Sequence, residues 1–226
     1  MTKWRAIIFD LDDTLYPEKD YVLSGFRAVA NWAAEHLQIP ADDSYRELTR
    51  LFFAGARGDT FNRWLASRGQ PASLVPTLIE VYRRHEPTLR PFPEVTDMLA
   101  SLHQRFRLGL VTDGHLDVQR SKLAALGLAE HFDAIVFSDE WGRDAWKPSP
   151  IPFRIVLERL GVTAEEAVYI ADNPAKDFLG ARRAGLSSIW CRHSGGEYAL
   201  SLPPTPDHAA DQTAESLARL RAFFPE

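Results

Sequence analysis

Five short runs in this chain are apolar at nearly every position: RAIIF (5–9), RLGLV (107–111), AIVF (134–137), AVYIA (167–171) and SSIWC (187–191). A strand with one wet face alternates apolar and polar residues, whereas a strand apolar throughout is buried on both faces, as in a parallel sheet covered by helices. Helix-length segments separate the last four runs, at His115 to Leu126, Ser149 to Leu160 and Pro174 to Ala184. That alternation predicts βαβ units and an α/β fold with a doubly wound parallel sheet.

One stretch breaks the rhythm. Between Tyr16 and about Arg90 no strand-like run occurs, but Val22, Phe26, Val29, Ala33 and Leu37 keep helical spacing, and Leu48, Leu51, Phe52, Leu65, Leu78, Val81 and Tyr82 continue it among charged neighbours. An all-helical insertion over 16–90 is predicted, with the core made of 1–15 and 91–226. Pro87, Pro91 and Pro93 mark its return, because proline fixes φ and lacks the N–H that would extend a helix. The Pro-rich SLPPTPDH (201–208) reads as a surface loop before a last helix near Thr213 to Phe223.

Composition excludes several classes. Of 226 residues, 26 are Lys or Arg and 31 are Asp or Glu, and no basic run exceeds pairs such as Arg83 and Arg84 or Arg182 and Arg183. Nucleic-acid binding by counterion release needs a clustered positive face, so no nucleic-acid partner is expected. Cys191 stands alone, which removes an intramolecular disulfide or a Cys-rich zinc site and reads as a small buried hydrophobe. The apolar runs fall far short of the ~18 residues that span a bilayer, and the start MTKWRAIIFDLDD cannot serve as a signal segment. A cytoplasmic protein with no membrane partner is expected.

The acids fall at the ends of the apolar runs. Asp10 follows AIIF, Thr112 and Asp113 follow LGLV, and Asp172 follows VYIA. Parallel strands end on one edge, and ligands of open α/β sheets bind in the crevice there. Asp10, Asp12, Asp172 and Asp177 should therefore converge, and unscreened carboxylates that close would raise one another's pKa. A cation resolves the repulsion. Oxygen ligands without His or Cys favour a hard ion such as Mg²⁺, which commonly accompanies a phosphate ligand. Thr112 offers a hydroxyl, Asp113 and Gly114 offer backbone N–H groups at a helix start, and Lys147 offers a point charge.

FDLDDTL (9–15), VTDG (111–114), KPSP (147–150) and ADNPAKD (171–177) resemble, in order, the four motifs of the haloacid dehalogenase-like hydrolase superfamily. The likeness covers about two-thirds of the chain, and the helical insertion looks like that superfamily's C1 cap. It implies a Rossmann-like core with an inserted all-helical cap domain that would close over the substrate. LYP after the first motif and DGHLDVQRSKLAALGL (113–128) look closest to members that hydrolyse small phosphate esters, including nucleotidase-like ones.

The resemblance implies roles. Asp10 would be the nucleophile that forms an aspartyl-phosphate, and Asp12 the general acid and then base. Side chains of Asp10 and Asp172, with the Asp12 carbonyl, would hold Mg²⁺; Asp177 would orient Asp172 or a metal-bound water, and Thr14 would fasten the first loop. Thr112 and Lys147 would bind phosphoryl oxygens and stabilise transition-state charge. Two residues depart from the pattern: Ala171 replaces the usual Gly, and Asp113 replaces a frequent Asn, adding negative charge near the phosphate. Tyr16, Arg57 and Arg63 in the insertion are candidates to touch substrate, and His115 to line the site.

The implied activity is a Mg²⁺-dependent phosphatase acting on a nucleotide, sugar or polyol phosphate. Three alternatives share parts of the pattern: a phosphomutase, a dehalogenase, and a receiver-like phospho-switch without turnover. Halide displacement needs no proton donor and so leaves Asp12 without a task, and a receiver has no helical insertion. Structural readings also exist: Asp12 and Asp13 as turn formers, Asn173 as an N-cap before Pro174, and Thr112 as a strand residue.

Overall fold

The structure is a computed structural model, and it describes residues 4–193 and 196–225. The expected core domain's first three residues and its last one, with Ser194 and Gly195, lie outside the described residues. After strand β1 (Ala6–Phe9) come helices α1 (Glu18–Leu37), α2 (Ala41–Phe53), α3 (Thr60–Ser67) and α4 (Val75–Arg84). The chain then runs through α5 (Val95–His103), β2 (Arg107–Thr112), α6 (Leu116–Leu126), β3 (Ala134–Phe137), α7 (Ile151–Leu160) and β4 (Ala167–Ala171). It ends with α8 (Asp177–Arg183), β5 (Ser187–Cys191), β6 (Gln212–Ala214) and α9 (Leu217–Leu220).

The strands form one six-stranded sheet in the order β3-β2-β1-β4-β5-β6, and every pair is parallel. Chain progression reverses direction between β1 and β4, the switch point at which such sheets open a crevice beyond their carboxyl ends. Phe9 aligns with Leu110 on one side and with Ile170 on the other, so the residues just past these three strands share one edge. Ile8, Val111, Val136 and Tyr169 pack with Phe153, Val156 and Leu160 of α7 and Phe178 of α8 into one buried cluster. All five predicted strands form, and the fold is the α/β, Rossmann-like one expected.

By its contacts the chain divides into a sheet unit, residues 1–17 with 90–226, and a helical unit, Glu18–Leu89. The helical unit has its own buried cluster, with Phe26, Val29, Leu48, Trp64, Leu65 and Leu78 at its centre. Helices α6 and α7 stop at Gly127 and Gly161, whose φ values of 65° and 64° are left-handed.

Two expectations are corrected. Thr213 and Ala214, expected to open a final helix, instead lie in β6 beside β5, and only Leu217–Leu220 and a 3₁₀ turn at Arg221–Phe223 follow. Asp211 ties that strand down, accepting from the Ser188 N–H at 2.8 Å and its hydroxyl at 3.1 Å. The helix expected from Pro174 starts at Asp177, because the Asn173 side chain accepts from the Ala175 N–H (2.9 Å) and turns the chain first.

Candidate active site

The Asp10 N–H continues the ladder past β1 by donating to Ile170 O at 2.9 Å, which fixes the backbone that carries the first acid. The chain then turns sharply: the Thr14 and Leu15 N–H groups both donate to Leu11 O, at 3.4 and 3.0 Å, and Asp13 takes a φ of 51°. Asp172 leaves β4 directly, and Asp177 opens α8 one tight turn later. Lys147 arrives on the loop after two 3₁₀ turns, Ser138–Trp141 and Arg143–Ala145.

These residues meet. Carboxylate oxygens of Asp10, Asp172 and Asp177 all lie within 4.8 Å of one another, and all three residues are buried. The Lys147 ammonium contacts Asp10 Oδ1 and Asp177 Oδ1, both at 2.7 Å, with its own side chain fully buried. It also donates to the Tyr169 hydroxyl at 3.0 Å, which in turn donates to Asp177 Oδ1 at 3.1 Å. Asp177 Oδ2 accepts the Asn173 N–H at 3.0 Å, so both its oxygens are engaged. By contrast Asp10 Oδ2, Asp172 Oδ2 and the Thr112 hydroxyl are buried with no hydrogen-bond partner among the described residues. Burying a carboxylate oxygen without a partner is costly, so such atoms mark where a cation or ligand belongs.

The electrostatics agree. Burial pushes the Asp10 carboxyl up to about 6, Lys147 pulling down and Asp177 pushing further up. Asp172 is driven well above the usual carboxylate range by burial and then by the Asp177 and Asp10 charges. For Lys147, burial works against the ammonium, but Asp10 and Asp177 outweigh it and hold the group above its ordinary value. Among the described residues Lys147 contacts Asp10 and Asp177 directly, the Lys176 charge also favours ionised Asp10 and Asp172, and an all-oxygen donor set with two oxygens lacking partners fits a hard divalent cation.

A family model described as haloacid dehalogenase-like hydrolase matches residues 7–191. The chain belongs to the haloacid dehalogenase-like hydrolase family. A glyceraldehyde 3-phosphate phosphatase of Methanopyrus kandleri is 31% identical over 217 residues, covering 92% of this chain and 91% of its own. A phosphoserine phosphatase of Thermus thermophilus is 38% identical over 135 residues, 59% of this chain and 53% of its own. Among solved structures, the HAD-hydrolase YfnB of Bacillus subtilis, bound to magnesium, superposes with a TM-score of 0.73 at 25% identity over the whole of both chains.

Several residues singled out from the haloacid dehalogenase-like motifs sit differently from expectation. Asp113 does not add a free charge to the site: Ser138 Oγ donates to its Oδ1 at 2.5 Å and the Lys147 N–H to its Oδ2 at 3.0 Å, so it fastens the lysine loop. Gly114 has φ 129°, a backbone conformation that side-chain-bearing residues rarely adopt, so the turn itself calls for glycine. Asp177 contacts Lys147 directly, with its carboxylate also within 4.8 Å of that of Asp172. Thr14 does not fasten its loop through its hydroxyl, which is buried with no hydrogen-bond partner among the described residues; the backbone bonds to Leu11 do that.

Tyr16, expected in the insertion, lies in the sheet unit. It is fully buried and donates to Asp12 Oδ1 at 2.5 Å. Arg57 bonds Phe52 O at 2.8 Å and lies over the Phe52 ring, while Arg63 pairs with Asp59 at 2.7 Å; both contacts stay within the helical unit. His115 precedes α6 with its ring edge-on to Trp146, 6.3 Å between centroids.

Sequence reading missed Tyr169, Gln119 and Lys122. Lys122 Nζ contacts Asp12 Oδ1 at 2.7 Å and Gln119 Nε2 donates to Asp12 Oδ2 at 2.8 Å. Burial alone would raise the Asp12 carboxyl, but the Lys122 charge and the hydrogen bonds of Lys122, Tyr16 and Gln119 hold it below its ordinary value. The available signal was spacing: 119, 122, 123 and 126 share one face of α6, so the two polar members occupy positions where leucine is the neighbour.

Proposed function

We propose that this chain is a Mg²⁺-dependent phosphatase that hydrolyses a small phosphate monoester through an aspartyl-phosphate on Asp10. The observation that carries this reading is the pair of unpartnered oxygens on Asp10 and Asp172, buried beside Lys147 and the unpartnered Thr112 hydroxyl. Side chains of Asp10 and Asp172, with the Asp12 carbonyl, would hold the ion. Mg²⁺ bound there supplies positive charge that lets a dianionic phosphate approach the acids and balances charge on the transferring group.

The chain's own residues do the rest. An Asp10 carboxylate oxygen attacks phosphorus, the ester P–O bond breaks, and Asp12 gives its proton to the departing oxygen. Water then attacks the aspartyl-phosphate, Asp12 takes the water's proton, and phosphate leaves with Asp10 restored. Lys147 and Thr112 donate to the phosphoryl oxygens, while Asp177 and Tyr169 keep the Lys147 ammonium in place. The relatives named for glyceraldehyde 3-phosphate and phosphoserine support a three-carbon or similarly small monoester as substrate, with selection left to the helical unit. Dehalogenation is the less supported reading, since halide departs without a proton and would leave the three donors gathered on Asp12 without purpose.

The test is a panel of triose, polyol, sugar and nucleotide monophosphates and p-nitrophenyl phosphate, with phosphate release measured in Mg²⁺ and in EDTA, and chloride release from a 2-chloro acid alongside. Mg²⁺-dependent phosphate release is expected, and Asp10→Asn should lower it by at least about 10³-fold because an amide is neither nucleophile nor good metal ligand. Chloride release without phosphate release, or an Asp10→Asn variant with substantial turnover, would overturn the reading.

A further inference from the structure

Helix α6 turns two polar side chains inward, and both reach one carboxylate, with Gln119 Nε2 also donating to the Asp113 carbonyl. Gln119 and Lys122 are 2% and 3% exposed. Lys122 Nζ lies 2.7 Å from Asp12 Oδ1 and Gln119 Nε2 lies 2.8 Å from Asp12 Oδ2, while the Tyr16 hydroxyl donates to Oδ1 at 2.5 Å. A buried lysine gives up its hydration, and a leucine at 122 would pack beside Leu123 and Leu126 without that loss. A carboxylate has about four lone-pair sites, so three donors fix its plane and still leave one site on Oδ2 open to a reactant.

Resting on the phosphatase reading above, we propose that Lys122 and Gln119 are positioning residues, which hold the Asp12 carboxylate in the orientation it needs when water attacks the aspartyl-phosphate. In that step a water oxygen bonds to phosphorus, the water's proton passes to Asp12, and the P–O bond to Asp10 breaks with its electron pair returning to the Asp10 carboxylate. Inorganic phosphate is the product. Hydrolysis of the intermediate always needs this proton transfer. The first half-reaction needs Asp12 only when the leaving group is a poor one, and nitrophenolate departs without a proton. With p-nitrophenyl phosphate, disturbing Asp12 should therefore slow the second half-reaction and spare the first.

The experiment is rapid-mixing kinetics of the whole chain with p-nitrophenyl phosphate and Mg²⁺, following nitrophenol release and acid-trapped phosphoenzyme. In Lys122→Met the first turnover should keep its rate, steady-state turnover should fall about 10- to 100-fold, part of the roughly 10²–10⁴-fold that a positioned acid–base group contributes, and phosphoenzyme should accumulate. Lys122→Arg should recover part of the loss. Because Lys122 acts through Asp12, the double variant Lys122→Met/Asp12→Asn should be no slower than Asp12→Asn alone.

Equal losses in both phases, or additive losses in the double variant, overturn the positioning role, since a lysine that only supports the fold would give either. Should Lys122→Met lose its folded circular dichroism spectrum, Gln119→Met decides: a several-fold slower steady state with an unchanged first turnover supports the role, and unchanged turnover overturns it. If the unaltered chain releases no phosphate and traps no phosphoenzyme, the phosphatase reading itself falls. If it turns over normally while no variant separates the phases, only the positioning role falls.

Discussion

Asp10 and Asp113 are both buried acids, yet they carry opposite obligations. Both oxygens of Asp113 are spent on Ser138 and the Lys147 N–H, so Asp113→Ala should cost about 1–3 kcal/mol for the groups left unsatisfied. Asn at this position should cost less, because it keeps one acceptor and the Ser138 hydroxyl can turn to Thr112 O, 3.1 Å away. Urea midpoints of the two variants check this, and equal losses would refute it. Asp10 instead has an oxygen to spare. Its folded-state value of about 6 lies above the ordinary 3.8, so the fold holds a proton that the unfolded chain has already lost. Without a cation, the contribution of this one carboxyl to stability is therefore fully present below about 3.8 and is lost as pH rises through about 6. A divalent ion binds the ionised acids and competes with that proton. Millimolar Mg²⁺ should thus raise the thermal midpoint more near neutral pH than at about pH 5, as a fluorescence melt would report; equal shifts at both pH values would count against the acid cluster as its site.

Helix α8 sets the distance between Asp177 and the lysine loop, and Gly180 is what lets it approach. A Cβ there would lie 2.7 Å from Phe153 Cε2 and 2.8 Å from the Ser149 carbonyl oxygen, a backbone atom that cannot step aside. Gly180→Ala should therefore destabilise by about 1–3 kcal/mol through overpacking and weaken Lys147's grip on Asp177, read as a lower urea midpoint together with lower phosphatase kcat. An unaltered midpoint would show that the helix yields. Elements of this kind explain what sequence could and could not reveal. Strands β1 to β5 were readable because burial on both faces leaves continuous apolar runs, and the acids at their ends followed from parallel direction alone. Strand β6 was not: QTA has two exposed residues of three, and its place depends on Asp211 reaching Ser188, a contact between residues 23 apart. The same limit hid Lys122 and Gln119, whose meaning rests on Asp12 more than a hundred residues earlier, and it hid the engagement of Asp113, which depends on Ser138 and the Lys147 backbone.

Two buried clusters, one around Phe153 and Tyr169 and one around Phe26 and Trp64, mean that each unit has its own source of apolar stabilisation. The insertion also leaves and rejoins the sheet unit at one place: Leu15 O accepts the Phe92 N–H at 3.0 Å, so the chain ends that flank the helical unit are already held together. Replacing residues 18–89 by a short Gly-Ser linker of about four residues should therefore leave the sheet unit able to close. The expected variant unfolds cooperatively, keeps its Mg²⁺-dependent rise in thermal midpoint, and still releases nitrophenol from p-nitrophenyl phosphate with reduced kcat/KM. Its preferences among triose, polyol, sugar and nucleotide monophosphates should flatten, because the residues proposed for phosphoryl chemistry, Asp10, Asp12, Thr112, Lys147 and Asp172, all belong to the sheet unit, while selection of the alcohol is assigned to the helices. A shortened chain that retains the parent's rank order of substrates would move specificity into the sheet unit. One that loses the Mg²⁺ response while staying folded would show that the acids need the helical unit to hold their arrangement.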